Sequence, residues 1–132
     1  MLIHIDTHRG VPYFRQVKEQ VIRMILSGQL AAGEKLESVA KLAKRLKVNP
    51  MTISKAYSFM VEEKILERRA GIGVFVAALP DHKQQEMTSA LLTTTLSKAA
   101  TLSMQLGMAQ SEAERLFADE FLKIKDQEAN ND

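Results

Sequence analysis

The chain has 132 residues, of which 45% are apolar and 26% charged, with a formal net charge of +2 and no cysteine. That is enough apolar material for one ordinary domain, or a small domain with an appendage, and the missing cysteine excludes disulfides and thiolate chemistry. No stretch approaches the apolar length of a membrane span, and MLIHIDTHRG lacks a basic region followed by an apolar run. A cytoplasmic protein without a signal peptide and without a membrane partner is therefore expected.

The charge is unevenly spread. Residues 1–79 carry 13 Lys/Arg against 7 Asp/Glu, whereas residues 80–132 carry 5 against 9. A basic first part joined to an acidic second part suggests that only the first meets a polyanion.

Leu2-Ile3-His4-Ile5 reads as a short strand, ended by a polar turn from Asp6 to Gly10. Pro12 opens a helix with Phe14, Val17, Val21, Ile22 and Ile25 as its buried positions and Gly28 as its stop. LAAGEKL is a connection that turns at Gly33. Ser38 then caps a short helix through Leu46, with Val39, Leu42, Ala43 and Leu46 facing inward. Lys47-Val48 is so short a join that the next helix must cross sharply, as in a helix-turn-helix. A left-handed lysine at position 47, where glycine is common, costs about 1–2 kcal/mol.

Asn49 is a good N-cap and Pro50 suits a first turn, so VNPMTISKAY starts a helix. Ile53, Ala56, Tyr57, Met60 and Val61 recur at helical spacing and make one buried stripe. The opposite face begins with Met51, Thr52, Ser54 and Lys55. It carries hydroxyls, one cation, an exposed methionine and no carboxylate.

After Lys64 the period changes, and ILERR and VFVAA form a hairpin around Ala70-Gly71-Ile72-Gly73. Pro80 marks the domain boundary. A long helix runs from Asp81 to about Leu106 and breaks at Gly107. Ser111 and Glu114 form a capping box for a last helix, with Ala113, Leu116, Phe117, Phe121 and Ile124 as its stripe and EANND as a frayed tail. There are no repeats and no low-complexity linker.

The order strand, helix, helix, helix, hairpin is that of a winged helix. The expected architecture is mainly α with a small β wing: a winged helix-turn-helix domain over 1–79 and a helical dimerisation region over 80–132. In a winged helix the third helix enters the major groove, and the wing rests on the adjacent backbone or minor groove. The odd face then has a job. Hydroxyls at a helix N-terminus approach phosphates and base edges, Met51 packs on a thymine methyl, and Lys55 reaches a phosphate or a guanine edge.

These residues resemble the DNA-binding domain of the GntR family of bacterial transcriptional regulators over roughly the first 79 positions. The likeness is carried by the leading Pro-Tyr, Gly28-x-Leu30, Gly33, Leu36-x-Ser38, Leu42-Ala43 and Gly71-x-Gly73-x-Phe75-Val76. Asn49-Pro50-x-Thr52-x-x-Lys55-Ala56-Tyr57 is similar to the YtrA subfamily, whose short C-terminal region of about two helices dimerises. The chain departs from the family in having Ala32 before Gly33, and Glu37 where proline is usual. Ala40 replaces a DNA-contacting arginine, and Lys41 next door is expected to take over a phosphate contact.

The resemblance and the winged-helix frame give one set of expected DNA contacts: Ser38, Lys41, Arg45, Asn49, Pro50, Met51, Thr52, Ser54, Lys55, Arg68, Arg69, Gly71 and Gly73. Ser38 is a cap first, and its phosphate contact rests on the resemblance. Lys44, Arg45 and Lys47 fit a phosphate-facing patch and equally the wet side of a short helix. Arg68 and Arg69 beside the glycine tip read as DNA contacts, the other reading being solvated strand residues. His4, His8 and His82 lack metal-ligand spacing, no nucleophile set or apolar carboxylate pair points to an enzyme, and no cofactor is expected.

Met87, Leu91, Leu92, Leu96, Leu102 and Leu106, with Leu116, Phe117 and Phe121 of the last helix, are too many apolar residues for helices left alone on a small domain. A twofold homodimer interface is expected there, placing two copies of the third helix about one DNA turn apart on a pseudo-palindromic operator. The function so read is repression by occupancy of a promoter, and the resemblance implies targets that include the protein's own operon, often with transporter genes nearby. The alternatives are a winged helix that docks on protein, or a sensor whose C-terminal helices take a small ligand. No sequence feature names an effector.

Overall fold

Residues 1–131 are described by a computed structural model. Three helices, α1 (Tyr13–Leu26), α2 (Val39–Leu46) and α3 (Pro50–Glu62), precede a hairpin of β1 (Leu66–Arg69) and β2 (Gly73–Val76). α4 (Asp81–Gln105) and α5 (Gln110–Asn130) follow. The chain is mainly α with a small antiparallel sheet, as the patterning implies.

α3 lies at the centre of the first part. Its Ile53, Ala56, Tyr57 and Met60 are completely shielded from solvent, and the helix packs against α1, α2 and β1. Full burial of a side chain such as Ile53 or Met60 contributes about 1.5–3 kcal/mol, so this stripe is a substantial source of cohesion. α1 supplies Val17 and Val21, and α2 supplies Leu42 and Ala43. The Tyr57 hydroxyl donates to the Glu37 carbonyl at 2.7 Å, which tethers the entrance of α2 to the middle of α3. Burial pushes the Tyr57 phenol well above its ordinary range.

The sharp crossing of α2 and α3 is capped on both sides. Ser38 Oγ accepts from the Lys41 N–H at 3.2 Å, and Asn49 Oδ1 accepts from the Met51 N–H at 2.9 Å. Lys47 does adopt the left-handed conformation, with φ 57° and ψ 44°. Its strain of about 1–2 kcal/mol is offset by the two caps, each worth about 1 kcal/mol.

The segment Leu2–Ile5 is not a strand. Ile3 is buried, but the backbone around it pairs with side chains of α1 rather than with a sheet. Gln16 Oε1 accepts from the Asp6 N–H and Gln16 Nε2 donates to the Asp6 carbonyl, both at 2.9 Å, and Nε2 also donates to the Val11 carbonyl at 3.0 Å. Gln20 treats His4 the same way. A glutamine amide presents a donor and an acceptor side by side as a peptide does, so two of them take the place of a neighbouring strand.

In the hairpin, Leu66 faces Val76 and Arg69 faces Gly73. The other edge of β2 is taken by residues 33–36: Gly33 donates to the Val76 carbonyl and Leu36 to the Val74 carbonyl, both at 2.8 Å. β2 is thus flanked on both edges, and Val74, Phe75 and Val76 are all buried, whereas β1 buries only Leu66.

The first compact unit ends at Met87, inside α4, because Met87 packs against the core and Lys83 Nζ donates to the Glu63 carbonyl at 3.2 Å. The second unit holds the rest of α4 and α5. Gly107, at φ 72°, separates the two helices. The expected capping box is absent. α5 begins one residue before Ser111, its N-cap is Ala109 without a side-chain bond, and Glu114 instead accepts from Gln110 Nε2 at 2.8 Å. The tail expected to fray is helical through Asn130, since no proline or glycine interrupts it; Asp132 lies outside the described residues.

Candidate nucleic-acid interface

The exposed side of α3 forms one wall of a groove, and the first turn of α1 forms the other. Met51, Thr52, Ser54, Lys55 and Ser58 face Tyr13 and Phe14 across a space of about 590 Å³. Met51 is 76% exposed. Lys55 is the single cation of α3, and its Nζ lies 4.1 Å from the centre of the Phe14 ring. α3 has no acidic residue in its first turn, so its N-terminal N–H groups and this ammonium present one sign of potential.

A second concavity, of about 350 Å³, joins the entrance of α2 to the wing. Ser38, Arg68, Arg69, Gly71 and Gly73 line it together with Lys35 and Tyr57. Arg68 Nη2 lies 3.4 Å from Ser58 Oγ, and the Arg69 guanidinium stacks 4.0 Å from the Phe75 ring centre. Gly71 (φ 73°) needs its left-handed backbone for the turn. Gly73 (φ 146°) is constrained twice, because a Cβ there would meet Lys35 Cε at 2.9 Å.

Lys41 and Arg45 line a third hollow with Met1, Leu2 and Glu34. Arg45 is already engaged: Nη2 donates to Glu37 Oε2 at 2.9 Å and to the Met1 carbonyl at 2.6 Å, and Nε reaches Glu37 Oε1 at 3.3 Å. Asn49 and Pro50 are exposed at the start of α3, with the Asn49 carbonyl oxygen committed to its cap.

The structure therefore brings the α3 residues together in one groove, and Ser38 together with the wing in another. Lys41 and Arg45 sit apart from both. Tyr13, Phe14 and Lys35 belong to these surfaces without having been expected among the DNA contacts; Tyr13 entered only as part of the leading Pro-Tyr. Phe14 carries an apolar helical spacing that reads as core, and Lys35 gives no signal beyond its charge.

Residues 14–76 match the model of the family described as bacterial regulatory proteins, gntR family. That segment belongs to the GntR family. It is 36% identical over 76 residues to the HTH-type transcriptional repressor YtrA of Bacillus subtilis (strain 168), covering 58% of this chain and 58% of that one. The match thus spans little more than half of that relative's length. A GntR family transcriptional regulator from Listeria monocytogenes is similar in structure, with a TM-score of 0.71 and 26% identity over 87% of this chain and 98% of that one. The AraR DNA-binding domain in complex with operator ORX1 has a TM-score of 0.50 and 27% identity, covering 58% of this chain and 93% of that one. The GntR match stops at Val76, so it covers the three helices and the hairpin.

Helices α4 and α5, 25 and 21 residues long, contain no buried side chain. Leu92, Leu96, Leu102, Leu106, Leu116, Phe117 and Phe121 are between 40% and 69% exposed, while Met87 and Leu91 are partly covered. Phe117 and Phe121 lie side by side, with ring centres 6.2 Å apart. Among the described residues no helix is long and apolar enough to cross a membrane.

Proposed function

We propose that this chain is a sequence-specific, DNA-binding transcriptional regulator that represses as a homodimer on a pseudo-palindromic operator. The observation that carries the reading is the division of α3: one side is wholly buried, and the other offers Met51, Thr52, Ser54 and Lys55 with no acidic residue in the first turn. Ser38 and the wing arginines supply phosphate contacts that fix the register, and the α3 groove reads bases. The operator complex of the related AraR domain supports the same use of this fold. Residues 1–79 do the reading and residues 80–132 pair two copies, since apolar side chains left uncovered along two helices need a partner. Candidate targets are the chain's own operon and neighbouring transporter genes.

In-vitro selection of duplex DNA by the full chain tests this directly. The expected product is a symmetric site with half-sites about 34–36 Å, or a multiple of one helical turn, apart. Failure to enrich any sequence over random duplex overturns DNA reading, and enrichment of a lone half-site overturns the dimer.

A further inference from the structure

We propose that Phe14 is a positioning residue of the reading surface, whose ring holds the Lys55 ammonium in place for the duplex; this rests on the DNA-binding reading above. Lys55 is the only cation on the thirteen residues of α3. Its Nζ stands 4.1 Å from the Phe14 centroid, well within the distance at which a ring face attracts an ammonium. Phe14 is itself held, because it stacks on Phe59 with centroids 5.6 Å apart and planes 22° from parallel. Beyond Phe59 lies Lys18, 5.8 Å from that ring and paired with Glu63. The result is a layered column running from the end of α3, through α1, to the groove.

A free lysine samples many rotamers, and binding must freeze them. A lysine already resting on a fixed ring has lost much of that freedom, so binding forfeits less. The ring contact leaves N–H donors available, because a π-face is not a hydrogen-bond acceptor of ordinary strength. Phe14 thereby sets where the one cation of the groove can reach, without touching DNA itself.

The test uses the full chain, the duplex recovered by its own selection, and a random duplex of equal length. Phe14→Leu is expected to weaken the selected duplex by about 2–5-fold, the range an exposed cation–ring contact supports. Phe14→Tyr, which keeps the ring, should stay near wild type. In a double-mutant cycle, Phe14→Leu should have no further effect once Lys55→Met is present. NMR of the wild-type Lys55 ε-methylene should show an upfield ring-current shift that Phe14→Leu abolishes. An unshifted resonance in the wild-type chain, or effects that multiply independently, overturns the positioning role. Should Lys55→Met leave both duplexes bound as before, the reading of the groove itself fails, which is a separate result.

Discussion

Arg45 holds Glu37 at two points, 2.9 Å from Oε2 and 3.3 Å from Oε1, and so occupies the one arginine of α2 within the protein. The hydrogen bond from Arg45 keeps the Glu37 carboxyl below its ordinary value of 4.5. A lowered value in the fold means stabilisation that is complete above the ordinary value and is lost as the pH falls through the folded one. Glu37→Gln should therefore lower the unfolding free energy slightly at neutral pH, by no more than about 1 kcal/mol for a pair whose arginine is still open to solvent, and not at all at strongly acid pH. Releasing Arg45 should also steepen the salt dependence of binding to random duplex by about one unit. An unchanged slope removes Arg45 from the set of DNA contacts.

Gly73 is the most constrained point of the wing. Gly73→Ala meets both an unfavourable φ of 146° and Lys35 Cε, and urea denaturation should show a loss of about 1–3 kcal/mol. Adding Lys35→Ala should recover only a minor part, because the far end of a lysine moves easily whereas the backbone strain remains. Full recovery in the double variant assigns the constraint to the side-chain clash instead.

Gln16→Leu keeps the volume but removes all three amide bonds to Asp6 and Val11. Unsatisfied partly buried groups cost about 1–3 kcal/mol, so stability should fall by that order. Hydrogen exchange should accelerate at the Asp6 amide while the amides of α3 keep their relative protection. Uniform acceleration assigns Gln16 to the core as a whole rather than to the N-terminal segment.

Leu92→Glu with Leu96→Glu places carboxylates on the uncovered face of α4 and should convert a dimer into a monomer in sedimentation. Affinity for the full palindrome should fall by about 10²–10⁴, since the second half-site contact stops being intramolecular. A chain ending at Thr88 should match this pair, because it retains Met87 and the Lys83 contact to Glu63. A chain ending at Leu79 loses both and should melt earlier. Persistent dimers from either altered chain assign the C-terminal helices another role.

The three helices and the wing were legible because each carries its own local signal: Ser38 and Asn49 as caps, the spacing of Ile53, Ala56, Tyr57 and Met60, and the glycines of the hairpin tip. Leu2–Ile5 misled because a short apolar run becomes a strand only where another backbone pairs with it, and here the partners are the amides of Gln16 and Gln20, which no local pattern announces. Ser111-x-x-Glu114 has the letters of a capping box, yet the helix starts earlier, where Ala109 is already extended. The site was legible as a face and not as a groove. That Tyr13 and Phe14 stand opposite Lys55 depends on how α1 crosses α3, which only packing decides.

Two helices that bury none of their own side chains gain little stability from packing within one molecule. If they pair, their folding carries a concentration in it, and halving the number of chains shifts the equilibrium as a change of solvent would. The cell's own supply of the protein then becomes the control variable. Occupancy of DNA would rise with roughly the square of chain number when protein is scarce and flatten when it is plentiful. A gene that such a protein represses in its own operon would settle at a level fixed by how weakly Leu92, Leu96 and Phe117 hold their counterparts.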